Sequence, residues 1–224
     1  FVHLYVNGLY WGLYNPVERP SAPFCASYIG GDKEEYDVLN SYPRNVVDGT
    51  ADAWLTAHAI AGEGINGYAD YQELAQYVDI PNLVNYMVAN FYVGNSDWDD
   101  HNWYSGRRRL PGAGYKFFTW DAEWVMGMRS DLQTNRTNIG QAQKPSFLYS
   151  RLKAYPEFRQ LFGDFVYRAF YHGGPMYVDP AHPDWDPAHP ERNRPAALYA
   201  ELADEVERAM IGESARWGDV TGSL

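Results

Sequence analysis

Asp97, Asn102 and Asp121 are the residues of this sequence whose types and spacing could do chemistry. An acid and an amide separated as Asp-x-x-x-x-Asn, followed downstream by a second acid, supply a base to face a hydroxyl and oxygen ligands for a hard divalent cation. Phosphoryl transfer asks that set of a protein. The same residue types also shape loops as Asx turns, so spacing alone leaves both readings open. Asp97 with Glu123 forms a carboxylate pair among aromatic residues, which is what glycoside cleavage needs.

The elements around these residues give the set its direction. Asp79 reads as an N-cap, Pro81 falls in the first turn, and Leu83, Val84, Met87, Val88 and Phe91 recur at three-to-four spacing, which predicts an amphipathic helix ending at Gly94. The polar run 95–102 then sits at the end of a buried helix, a place suited to function. Trp103-Tyr104 and the run 115–120 predict a hairpin around residues 107–114 that delivers Asp121 at a strand terminus. Two acids therefore converge at one end of a scaffold.

Upstream, Asn7-Gly8 between aromatic and β-branched runs predicts a tight hairpin, because both residues tolerate positive φ. Ser21-Ala22-Pro23 opens a short helix that Gly30-Gly31 closes, a strand follows near 36–39, and a helix over 51–61 is closed by Gly62 and Gly64. Beyond Pro145 the pattern predicts helices over 147–154, 158–171 and 196–211. The Pro-rich stretch 178–195 carries Asp-Pro-Ala-His-Pro twice, from Asp179 and from Asp186, and reads as an exposed loop.

Composition bounds the rest. A length of 224 residues suits one domain or two small lobes, and 46% hydrophobic with 21% charged residues argues against wholesale disorder. No apolar run approaches the roughly 20 residues that a bilayer span needs. The net charge of -11 repels a phosphate backbone and argues against a nucleic-acid partner. Cys25 is the only cysteine, so neither an internal disulfide nor a thiolate zinc cluster can form. Aromatic residues at 17% suit clefts for carbohydrate or nucleotide. Strand character already at Phe1 predicts that the chain begins inside a larger protein.

The run Val6-Asn7-Gly8-Leu9-Tyr10-Trp11-Gly12-Leu13-Tyr14 with Glu18-Arg19, then Gly94-Asn95-Ser96-Asp97-Trp98-Asp99 and Trp120-Asp121-Ala122-Glu123-Trp124, resembles the CotH kinase family, the spore coat protein H group. The closing Glu213-Ser214-Ala215-Arg216-Trp217-Gly218-Asp219 is similar to family members as well. The resemblance implies an α+β, atypical protein-kinase-like fold in which a partial small β lobe precedes a mostly helical large lobe. Residues 1–224 would form an N-terminally truncated domain, with about 1–48 the remnant of the small lobe and about 49–224 the helical catalytic lobe. It implies transfer of phosphate from ATP, with Mg2+, to serine or threonine hydroxyls of a protein substrate, in spore coats or cell envelopes.

Carried onto this sequence, the resemblance makes Asp97 the catalytic acid-base residue, Asp121 a magnesium ligand and Asn102 the second metal ligand. Tyr115 would stack on adenine, and Glu18 would orient a phosphate-binding lysine. The sequence also departs from the family. Asn40 stands where many relatives present a lysine, and Lys33, flanked by Asp32, Glu34 and Glu35, reads as a solvated turn residue. Asn95-Ser96 replaces the His-Arg of ordinary kinases, Ala122-Glu123 follows Asp121 in place of Phe-Gly, and a glycine-rich phosphate loop is missing. These departures keep a second reading open: a non-catalytic, pseudokinase-like envelope or adhesion module that binds a partner or glycan. Arg107-Arg108-Arg109 is either a solvated hairpin tip or a site for an acidic substrate.

Overall fold

Positive φ at two successive residues reverses a strand in the sense that suits its twist, and Asn7 (φ 50°) with Gly8 (φ 79°) does so here. They join β1 (Val2–Val6) to β2 (Leu9–Tyr14) in a computed structural model that describes residues 1–41, 45–129 and 131–218. The other strands are β3 (Tyr36–Asn40), β4 (Asn45–Asp48), β5 (Trp103–Arg108) and β6 (Lys116–Thr119). The helices are α1 (Ala22–Ile29), α2 (Asp52–Glu63), α3 (Tyr68–Ala75), α4 (Ile80–Tyr92), α5 (Pro145–Leu152), α6 (Pro156–Phe170) and α7 (Arg194–Trp217). The class is α+β, as expected. No described helix is long and apolar enough to cross a membrane.

The chain divides into two compact units, Phe1–Glu18 with the chain from Tyr167 onwards, and Arg19–Val166. In the first, the Asn193 side chain accepts from Ala196 N at 3.1 Å and starts α7. Near the other end of that helix, the Glu213 carboxylate accepts from Leu13 N and from the Tyr10 hydroxyl, the latter at 2.9 Å. Trp217 donates to the Trp11 carbonyl at 3.2 Å and its ring meets Trp11 edge-on. A Cβ on Gly12 would sit 3.1 Å from the Glu213 carboxylate, so glycine admits this approach. The closing motif thus fastens α7 to the hairpin; its last residue, Asp219, lies outside the described residues. Both Asp-Pro-Ala-His copies make the same exposed turn, with Asp179 and Asp186 each accepting from the alanine two residues on at 2.9 Å.

In the second unit, β4, β3, β5 and β6 form one antiparallel sheet in that order. Tyr36, Asp37, Val38 and Leu39 are all buried, so β3 needs neighbours on both edges and faces. It finds β4 on one side and β5 on the other, in a register from Tyr36 opposite Arg108 to Asn40 opposite Tyr104. β3 and β4 thus share a sheet with the hairpin that precedes Asp121. Cys25 of α1 packs on β5 at Gly106, where a Cβ would come within 2.6 Å of its sulfur. α2 continues through Gly62 and stops at Gly64 (φ 94°), because glycine inside a helix costs only about 1 kcal/mol. Trp54 of α2 stacks on Trp103 of β5 with centroids 5.2 Å apart, and Tyr115 meets Trp54 edge-on.

β5 is longer than the expected strand and takes in Arg107 and Arg108, and these arginines and Arg109 lie beside acids of the chain itself. Asp37, 1% exposed, accepts from Arg109 at 2.8 Å and from Thr50 N at 2.9 Å, with Arg107 3.9 Å away. Arg108 pairs with Glu35 at 2.8 Å. Removing one partner of a buried ion pair leaves an uncompensated charge, whereas an exposed pair adds little. Asp37→Ala should therefore lower the unfolding free energy by about 3–5 kcal/mol and Arg108→Ala by about 1 kcal/mol or less, as read from urea denaturation curves.

Candidate active site

The loop that leaves α4 is built from its own amides. Asp79 accepts from Asn82 N at 3.0 Å and starts the helix, which then buries Leu83, Val84, Met87 and Val88. At the far end Asn90, 1% exposed, donates to the Tyr86 carbonyl at 2.9 Å and accepts from the Asn95 side chain at 3.0 Å. Asn95 is fully buried, its N–H donates to the Asn90 carbonyl, and its Oδ1 accepts from Asp97 N at 3.4 Å. The Ser96 N–H and hydroxyl both donate to the Trp124 carbonyl, which ties the chain after Asp121 to this loop. A buried polar turn requires such internal pairing, since water is not there to supply it. Trp98 fills the space beneath, edge-on to Tyr86.

Asn102 joins the three expected residues. Its Nδ2 donates to Asp97 Oδ2 at 3.0 Å and to the Asp121 carbonyl at 3.1 Å. Both partners are pure acceptors, so the amide nitrogen must face them and Oδ1 is left as an acceptor. Asp97 Oδ1 is buried and accepts no hydrogen bond among the described residues. Asp121 is exposed and holds φ at 50°, a left-handed conformation that costs a non-glycine residue about 1 kcal/mol and recurs where backbone is shaped for function. Carboxylate and amide oxygens form the donor set of a hard cation, and magnesium commonly takes one or two carboxylates with the rest of its shell from water and phosphate. No group of three or more His, Cys, Asp or Glu able to hold a metal occurs among the described residues, so only the sparse kind of site fits.

A cavity of about 280 Å³ opens at this loop, lined on one side by Asn95, Asp97 and Asp99 and on the other by Thr134, Asn138 and Gln141. Tyr115 is not part of it. The ring is fully buried between β6 and α2, edge-on to Trp54, and offers no face to a base; this corrects the stacking expectation. Lys33 is exposed and lies 3.7 Å from Glu34, in keeping with a turn residue. Asn40 sits in β3 with its Oδ1 buried and accepting nothing among the described residues.

Sequence reasoning missed the roles of Asp99, Lys144 and Ser146. Asp99 is 2% exposed; Oδ1 accepts from Ser146 N at 3.0 Å and Oδ2 from the Ser146 hydroxyl at 2.6 Å. Lys144 donates to the Asp100 carbonyl at 2.9 Å and to its carboxylate at 3.1 Å. Lys144-Pro145-Ser146 opens α5, so a helix start lay in the sequence, but its acidic partners are distant in the chain.

A family model described as CotH kinase protein matches residues 1–170, which is more than half of the chain and includes every residue of the candidate site. It ends before α7, so the similarity expected for the closing motif falls outside the match. No curated protein and no solved structure matches the chain.

Burial pushes the Asp99 carboxyl up from 3.8 to about 6, against the pull of the Ser146 hydroxyl and N–H and of Lys144. Between those values the folded chain holds a proton that the unfolded chain has released. The stabilisation from that proton is full below about pH 4 and is lost as pH rises through about 6. Asp99→Asn carries no such proton, so its stability relative to the parent should improve from pH 4 to 6 and then level off, by on the order of 2–3 kcal/mol. Urea midpoints of both proteins across pH 4–8 check this; a difference independent of pH would return Asp99 to an ordinary carboxylate.

Proposed function

Because this chain belongs to the CotH kinase family, we propose that it transfers the γ-phosphoryl group of ATP, with magnesium, to a serine or threonine hydroxyl of a protein substrate. The observation that carries this reading is the Asn102 amide, which ties the Asp97 carboxylate to the backbone of Asp121 while Asp97 Oδ1 accepts nothing among the described residues. The Asp97 carboxylate would take the acceptor proton as the hydroxyl oxygen bonds to the γ-phosphorus and the bond from that phosphorus to ADP breaks. Asn102, donating to Oδ2, would orient that carboxylate. The Asn102 Oδ1 and the Asp121 carboxylate would hold magnesium, which when bound offsets charge on the phosphate oxygens. The cavity beside Asp97 has room for the acceptor side chain. A site of action in a spore coat or cell envelope belongs to the same proposal.

A second reading, a non-catalytic envelope module binding a partner or glycan, is favoured by Asn40. An uncharged amide lies in the sheet where the resemblance leads one to expect a phosphate-anchoring lysine.

The two readings part in a phosphate-transfer assay with labelled ATP, magnesium and the intact protein. Asp97→Asn should keep the melting temperature and lower the rate by at least about 100-fold, the scale of a lost general base. Asp121→Ala should abolish the rise in melting temperature that magnesium with ATP gives the parent. Absence of both transfer and any magnesium-ATP shift in the parent protein would favour the non-catalytic module.

A further inference from the structure

Asp97 is held from its side chain by Asn102 and from its backbone by Asn95, but the turn that follows it rests on different partners. Residues 99 and 100 receive four hydrogen bonds from the start of α5: two from Ser146 to the Asp99 carboxylate, and two from Lys144 to Asp100. The Ser146 hydroxyl in turn accepts from Gln141 N at 2.8 Å. Its proton is thus committed to Asp99 Oδ2, and the Ser146 N–H to Oδ1. A carboxylate is the side chain of this length that accepts from two donors at once; an amide has one accepting and one donating end. Asp99, Ser146 and Lys144 are all buried, so each bond is sheltered from exchange with water.

We propose that this clasp fixes the position of the Asp97 carboxylate, and that Asp99 is a positioning residue acting through Asp97, not a second catalytic acid. The inference rests on the proposed phosphoryl transfer for its kinetic readout and on the hydrogen bonds alone for its structural one. The burial of Asp99 is the reason: both oxygens are spent on α5 and neither is left for a substrate. Asp97 lies two residues away in the same short turn, where Asp100 and His101 N–H groups both donate to the Asp97 carbonyl. Releasing the turn from α5 therefore releases the backbone that carries the base, and displacements of about 1 Å cost rates of the order of 100-fold.

The test is a series of variants in the intact protein, assayed at a temperature where circular dichroism finds all of them folded. Asp99→Ala, which deletes both acceptors, should lower kcat by about 100-fold, while Asp99→Asn and Ser146→Ala, which each keep one bond, should lose about tenfold. KM for magnesium-ATP should change by less than kcat does, because the clasp contacts neither Asn102 nor Asp121 and reaches Asn102 only through the loop. Asp99→Asn as inactive as Asp97→Asn, with Ser146→Ala at parental activity, would make Asp99 a catalytic acid and overturn the proposal. Parental kcat in Asp99→Ala would reduce the clasp to a helix cap and also overturn it. Hydrogen exchange gives an answer that needs no phosphoryl transfer: Asp99→Ala should speed exchange at the amides of residues 97–102 by at least about tenfold and leave β5 as in the parent. Unchanged exchange in that loop refutes the clasp whatever the assay gives. Exchange as expected in a protein that transfers no phosphate supports the clasp and counts against the proposed function.

Discussion

A polar turn that is buried has to satisfy its hydrogen bonds from within, and the turn leaving α4 does so by a relay of side-chain amides. Asn90 reaches back to the helix carbonyl of Tyr86 and forward to Asn95, Asn95 meets the backbone of Asp97, and Asn102 closes the sequence on Asp97 and on Asp121. Each link leaves fewer groups unpaired, and the cost of an unpaired buried group, about 1–3 kcal/mol, explains why so many amides are spent on one loop. The relay leaves Asp97 Oδ1 accepting nothing among the described residues and Asn102 Oδ1 turned away from the two groups its amide nitrogen serves.

That loop runs directly into the sheet beside it, at the first residue of β5. β3 is enclosed by β4 and β5, and its one buried acid, Asp37, is answered by Arg107 and Arg109 from β5 and the loop after it. The stack of Trp54 on Trp103 packs α2 against the first residue of β5, directly after Asn102. β6 then returns to place Asp121 where Asn102 reaches its carbonyl. Core packing and site geometry are therefore one structure here. Tyr115, whose ring was expected to serve a nucleotide, is used by that core.

The parts legible in the sequence are those whose signal is local. Asp79, Pro81 and the apolar spacing after them specify α4 without reference to anything else, and Asn7-Gly8 specifies its turn by its own φ preferences. Asp97, Asn102 and Asp121 were readable because the helix, loop and hairpin between them leave few ways to arrange the three. What was not legible depends on partners far away in the chain. Arg107 to Arg109 look solvated until Asp37 and Glu35, more than seventy residues earlier, are brought beside them. Asp99 looks like one more loop acid until Ser146 arrives, and the register that sets Tyr36 opposite Arg108 joins strands far apart in the chain. Tyr115, just before β6, gives no sign in the sequence of which way its ring turns, and the Trp54 ring decides it.

The energetics of the site bear on whether the chain is a catalyst or only a binding module. Three features of the candidate site cost stability: a buried carboxylate at Asp99 whose proton affinity is raised, a left-handed backbone at Asp121, and an acceptor on Asp97 unpaired among the described residues. A surface that only docks a partner or a sugar gains nothing from them, since relaxed side chains would bind as well and fold better. A base that must accept a proton gains from an oxygen with spare capacity, and a cation site gains from a backbone bent to present its ligand. Asn40 pulls the other way, because an amide brings no charge to the phosphates. The costs gather around Asp97 and Asp121, where the transfer step would occur, while Asn40 bears on how a nucleotide is anchored. Weighed by location, the strain of the loop argues for chemistry there and the amide argues for a different means of holding the nucleotide.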